Sequence, residues 1–142
     1  MPKIEKSSIV SIFSDGASRG NPGPAAVGVV LYSSRGNRLA EVSRYIGTAT
    51  NNVAEYLGVI YGLQEACFLG VRSVALRTDS QLIARQLKGT YRVKDEKIRV
   101  FFDIAKNLFR FFTSVKIDEI PRQENSEADL LANRALDQRA LL

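Results

Sequence analysis

Four acidic residues stand where the chain changes from one local pattern to another. Asp15 follows a short β-branched run, Glu55 lies early in a helical pattern, Asp79 sits between a strand and a helix, and Asp129 opens the last helix. Carboxylates are hard oxygen donors suited to magnesium or manganese. Two such ions can flank an in-line displacement at phosphorus, one activating water and the other stabilising the leaving oxygen. The chain has no histidine and a single cysteine, Cys67. Imidazole ligands and thiolate clusters are therefore excluded, and a bound metal must be held by oxygen.

Each acid also has a local structural explanation. Asp15-Gly16 reads as a turn. Glu55 stands three residues after Asn52, and Asp129 three after Ser126, both at capping-box spacing. Asp79 is placed to cap the helix that follows it. These explanations do not account for all four acids falling at strand ends or helix starts of one α/β chain, where side chains converge on a crevice beside the sheet. Bare, such a cluster is repulsive, because like charges raise each other's pKa; divalent cations reverse that sign.

The elements that must position them are legible from period and punctuation. Ser8 to Ser14 reads as a strand ending at Asp15-Gly16, and Gly20-Asn21-Pro22-Gly23-Pro24 is dense turn chemistry. Ala26–Tyr32 and Arg38–Ile46 complete an antiparallel meander. From Asn52, Val53, Leu57, Ile60, Tyr61 and Cys67 recur at helical spacing up to Gly70, a C-terminal glycine. Ser73–Arg77 is a strand, Ser80–Leu87 a helix stopped by Gly89, and Val93–Phe112 contains a helix whose Ile98, Phe101, Phe102, Ala105 and Phe109 share a face. Val115–Ile120 is the last strand and Glu127–Leu136 the last helix. The helix crossing between strands implies parallel neighbours with helices on the sheet faces.

At 142 residues the chain is expected to form one domain, 1–142. Its formal net charge of +5 favours a polyanionic partner. The lone cysteine allows no intrachain disulfide, no apolar core of a signal peptide follows MPKIEKSS, and no apolar run reaches membrane-spanning length. A monomeric cytoplasmic protein with no membrane partner is expected.

Four motifs carry a family resemblance: Asp15-Gly16-Ala17-Ser18-Arg19-Gly20-Asn21-Pro22-Gly23-Pro24, Thr50-Asn51-Asn52-Val53-Ala54-Glu55-Tyr56, Thr78-Asp79-Ser80-Gln81 and Asn125-Ser126-Glu127-Ala128-Asp129. In this order and spacing the chain resembles type 1 ribonuclease H. The resemblance implies a ribonuclease H-like α/β fold with a mixed five-stranded sheet flanked by helices. It also implies metal-dependent endonucleolytic hydrolysis of the RNA strand of an RNA–DNA hybrid to 5′-phosphate and 3′-hydroxyl ends, by a two-metal-ion mechanism. Asp15, Glu55, Asp79 and Asp129 match the family's catalytic metal ligands, for two Mg2+ ions with Mn2+ as a substitute. Asn21, Thr50, Asn51, Asn52 and Gln81 match its substrate contacts.

Two departures matter. Many members carry a histidine in a loop before the last aspartate; here Ile120 to Asn125 is a short link without one, as in a histidine-less prokaryotic branch, and Arg122 or Glu124 is the candidate replacement. Some members insert a tryptophan-bearing basic protrusion between helices. This chain has no tryptophan and only a modest basic cluster, Lys88, Arg92, Lys94 and Lys97. Three activities stay open: a hybrid-specific endoribonuclease, a broader nuclease acting on RNA–DNA junctions or double-stranded RNA, and a silent nucleic-acid-binding module. The presence of all four acids argues against the last.

Overall fold

The computed structural model describes residues 8–141; the MPKIEKS segment and Leu142 lie outside them. Five strands, β1 (Ile9–Ser18), β2 (Gly23–Tyr32), β3 (Arg38–Ala49), β4 (Ser73–Thr78) and β5 (Ser114–Glu119), form one sheet in the order β3-β2-β1-β4-β5. The meander β1-β2-β3 is antiparallel, while β4 and β5 join it in parallel. The mixed five-stranded sheet expected from the resemblance is thus the observed one.

Four helices cover the sheet: α1 (Asn51–Phe68), α2 (Gln81–Lys88), α3 (Glu96–Phe109) and α4 (Ser126–Ala140), the last preceded by a 3₁₀ turn at Arg122–Asn125. Helix α1 packs on β1 and β2 and against α3, while α4 lies across β1, β2 and β3. The core forms where the alternating apolar residues of β1 and β2, among them Val10, Ile12, Val27, Val29 and Leu31, meet Val59 and Leu63 of α1. Tyr56 is fully buried among them, and its hydroxyl donates to Gln86 Oε1 at 2.6 Å, so α1 and α2 share a satisfied polar contact inside the core. Ile98 and Ala105 are the buried residues of α3, with Phe101, Phe102 and Phe109 partly buried beside them, on the face that the spacing predicts.

Several boundaries differ from the sequence expectation. Strand β1 does not end in a turn at Asp15-Gly16; it runs on to Ser18, with Asp15 paired to Gly28 and Gly16 to Val27. Glycine serves close approach there, because a Cβ on Gly16 would lie 2.2 Å from the carbonyl carbon of Ala54 in α1. Gly28 plays the same part on the other face, where a Cβ would lie 1.9 Å from the Ala128 oxygen of α4. Helix α3 lies within the expected Val93–Phe112 span and begins at Glu96, because Asp95 caps it by accepting from the backbone N–H groups of Lys97 and Ile98. Residues 89–95 join α2 to α3 directly, with no inserted protrusion.

Candidate metal and nucleic-acid site

The parallel pairing of β1 with β4 stops at Phe13 opposite Arg77. Asp15 and Asp79 each lie two residues beyond that pair, so the register sets both carboxylates side by side at the same opening end of the sheet. Gly16 lets the second turn of α1 press against β1, which carries Glu55 into the same place. One carboxylate oxygen from each of Asp15, Glu55 and Asp79 lies within 4.8 Å of the others. Gly28 admits the first turn of α4, bringing Asp129 to the wall of the same hollow, which encloses about 410 Å3. Asp129 is the exposed member, and Asn133 Nδ2 donates to its Oδ1 at 3.2 Å.

None of the four acids does the structural work that local spacing offered it. Thr50 caps α1 through Val53, and Ser80 caps α2 through Ile83. Asn125 holds the cap position of α4 without a side-chain cap bond. Asp15 is in mid-strand. The acids are therefore committed to neither a cap nor a turn.

Electrostatics gives the same picture. Burial, then the charge of Asp79, pushes the Asp15 carboxyl up to about 7. Burial and the charge of Asp15 hold Glu55 well above the ordinary carboxylate range, against the opposing pull of the Gly16 backbone N–H. A hydrogen bond between the two acids favours a proton on Glu55 and the charge on Asp15, so the pair shares a proton when no cation is bound. An oxygen-only donor set this close, paying for its own repulsion, suits a divalent cation.

The residues expected at the substrate fall into two groups. Asn51 and Asn52 line the carboxylate hollow and also a second hollow of about 340 Å3, which Asn21 and Thr50 share with Asp95 and Lys97. Asn21 Oδ1 accepts from the Asn51 backbone N–H at 3.0 Å, tying the turn after β1 to the start of α1. Gln81 lines neither hollow; its amide oxygen, turned to suit its neighbours, accepts from Arg85.

Arg122 lines the carboxylate hollow, whereas Glu124 lines a separate small one with Phe13 and Tyr32. Lys88, Arg92, Lys94 and Lys97 are all exposed, and Lys97 alone of them reaches a hollow described above. Ser18 and Ser80 also line the carboxylate hollow and were not expected there. Asn125 was visible in the last motif, but no local pattern assigns its side chain a task. Among the described residues, no helix is long and apolar enough to cross a membrane.

Residues 13–135 match the family model described as reverse transcriptase-like. The chain is 47% identical over 128 residues to a ribonuclease HI of Halobacterium salinarum, covering 90% of this chain and 64% of that one. It covers only 35% of a bifunctional Mycobacterium tuberculosis protein, to which it is 43% identical, so it spans only part of these relatives. The solved RNase H1 of Halobacterium salinarum superposes with a TM-score of 0.89 at 46% identity, covering 91% of this chain and 98% of that structure. LC11-RNase H1, solved in complex with an RNA/DNA hybrid, gives a TM-score of 0.88 at 39% identity over 92% of this chain and 99% of that one. The chain belongs to the reverse transcriptase-like family, among its type 1 ribonucleases H.

Proposed function

We propose that this chain is a divalent-cation-dependent endonuclease that hydrolyses the RNA strand of an RNA–DNA hybrid, leaving 5′-phosphate and 3′-hydroxyl ends. The observation that carries the reading is the convergence of Asp15, Glu55 and Asp79 within 4.8 Å, with Asp129 on the same wall and none of the four engaged as a cap or turn. The hybrid held by LC11-RNase H1, a 39% identical relative, supports the substrate class.

In this reading Asp15, Glu55, Asp79 and Asp129 are the catalytic residues and hold the metal, Mg2+ with Mn2+ as a substitute. Two bound ions would supply an activated water and charge stabilisation at the leaving oxygen. The chain's own residues bind and orient. With no histidine available, the metal would be held by carboxylates alone, and Asp15 and Glu55 would have to give up the proton they share in order to bind it. Metal affinity therefore rises with pH.

Asn51 and Asn52, which line both hollows, would in this reading follow the minor groove from the scissile phosphate to neighbouring nucleotides. Amide side chains both donate and accept, as the 2′-hydroxyl does, so they can distinguish RNA from DNA. Asn21 and Thr50 extend that contact along the second hollow, and Gln81 joins it only where the strand reaches beyond both. Arg122, on the wall of the carboxylate hollow, suits a phosphate through its planar fork of donors and takes the auxiliary role; Glu124 faces elsewhere.

Residues 1–142 act in this reading as one monomeric domain in a reducing, cytoplasmic setting. The direct link between α2 and α3 leaves the hybrid's DNA strand with few basic contacts, so affinity is low and its dependence on salt shallow. The test is a side-by-side digestion of matched hybrid, RNA–DNA junction, double-stranded RNA and duplex DNA, with Mg2+, Mn2+ or chelator, followed by end mapping. Metal-dependent cutting of the hybrid to 5′-phosphate ends is expected. Cutting of junctions or double-stranded RNA at equal rates would widen the substrate class, and chelator-resistant cutting would refute the proposal.

A further inference from the structure

The Asn125 side chain lies at the point where the sheet opens. It is 1% exposed, and its single amide nitrogen donates twice, to the Ser14 carbonyl at 2.9 Å and to Asp79 Oδ2 at 3.0 Å. The Ser14 carbonyl belongs to the peptide unit that leads into Asp15. Both hydrogens of one NH2 group therefore bridge β1 and the residue after β4, just past Phe13 and Arg77, where the backbone ladder between the strands ends.

Two further observations say what this bridge costs. Asn125 occupies the cap position of α4, where an asparagine ordinarily accepts from the first turn, yet its side chain makes no cap bond. Its Oδ1 is buried with no hydrogen-bond partner among the protein groups. A buried acceptor without a partner is destabilising. The side chain thus forgoes a cap and strands its oxygen in order to direct its nitrogen at Ser14 and Asp79.

We infer that Asn125 is a positioning residue that fixes the Asp79 carboxylate against Asp15 and thereby sets the affinity of the site for divalent cations. The inference rests on the metal-site reading above. The bond occupies one carboxylate oxygen of Asp79 at hydrogen-bond distance and limits rotation about its terminal torsion, so the acid meets its neighbours already oriented. Hydrogen bonds behind a metal ligand have this effect in general, and losing one typically weakens metal binding or activity 10- to 100-fold. The same amide makes α4, which bears Asp129, part of one unit with Asp79.

The experiment uses Asn125→Ala and Asn125→Ser in the full chain. Serine is a favoured cap residue, so Asn125→Ser offers α4 the cap that asparagine withholds and keeps the helix docked while losing the reach to Asp79. Mn2+ binding is measured without nucleic acid, from the spectroscopic signal of free Mn2+, alongside unfolding temperature and the kcat and KM for hybrid cleavage. The expected result is Mn2+ affinity lowered by about tenfold or more, kcat lowered at fixed Mn2+ and restored by raising it, and KM for hybrid unchanged. Asn125→Ser that unfolds cooperatively and binds Mn2+ as the wild type does would overturn the inference, even if its unfolding temperature fell. A wild-type chain that takes up no Mn2+, or an Asp79→Asn variant that takes it up undiminished, would instead overturn the metal site and this inference with it.

Discussion

Replacing Asp15 by asparagine should stabilise the metal-free protein while ending its activity. The Asp15 carboxyl is pushed up from 3.8 to about 7, mainly by burial and next by Asp79. Between those values the folded chain holds a proton that the unfolded chain releases, so folding stability falls as pH rises through that window and the full cost is present above it. A tenfold change in proton affinity is about 1.4 kcal/mol, which makes the cost of ionising Asp15 in the empty site on the order of 4 kcal/mol. Asparagine has nearly the same shape and no charge. At about pH 8 its unfolding temperature should exceed that of the wild type by on the order of 10 °C for a domain of this size. At about pH 3 the gap should close, because the carboxyl is then largely protonated in the folded and the unfolded chain alike. Millimolar Mg2+ should also narrow it, by stabilising only the wild type. The assay is thermal unfolding followed by circular dichroism across pH, with chelator and with Mg2+. A variant less stable than the wild type at pH 8, or a gap that does not change with pH, would refute the electrostatic account.

Other perturbations separate packing from chemistry. Gly28→Ala drives a Cβ to within 1.9 Å of the Ala128 oxygen, so α4 must shift; denaturant unfolding should show a loss of about 1–3 kcal/mol or more, with cleavage reduced as Asp129 moves. Thr50→Ala removes the α1 cap on the Val53 N–H and should cost about 1 kcal/mol by thermal unfolding, with Thr50→Ser close to wild type. Tyr56→Phe leaves the buried Gln86 oxygen without its donor and should cost about 1–3 kcal/mol in denaturant titrations, with the metal requirement for cleavage unchanged.

The element order, the antiparallel meander and the parallel later strands were readable because each strand and helix carries its own period and its own punctuation. What could not be read were the contacts between elements. Asp15-Gly16 looks like a turn to any local rule, and only the approach of Ala54 shows why glycine continues the strand there. The helix caps were misassigned for a related reason. Several polar residues crowd each helix start, and spacing alone cannot tell that Thr50, two residues before Asn52, and Ser80, one after Asp79, accept the bonds. That misreading gave the acids structural roles they do not have. Their convergence was readable only as a joint placement of four residues, and the β1–β4 register supplies its physical cause. Arg122 and Glu124 were equivalent in sequence because the 3₁₀ turn that contains both was not foreseen; that turn sends one toward the carboxylates and the other away. Asn125 escaped notice because its partners, Ser14 and Asp79, lie 111 and 46 residues away in the chain.

The central claim is that the carboxylates joined by β1, α1 and β4 cut RNA paired to DNA with the help of divalent cations. Cleavage of an end-labelled hybrid by the wild type and by Asp79→Asn, with both proteins shown to be folded and to bind the hybrid equally, tests it most directly. The account predicts Mg2+- or Mn2+-dependent cutting of the RNA strand by the wild type, its loss in chelator, and at least a hundredfold loss in Asp79→Asn, on the order expected when a group stabilising transition-state charge is removed. Undiminished cleavage by Asp79→Asn, or a folded wild type that binds hybrid and never cuts it, would contradict the account.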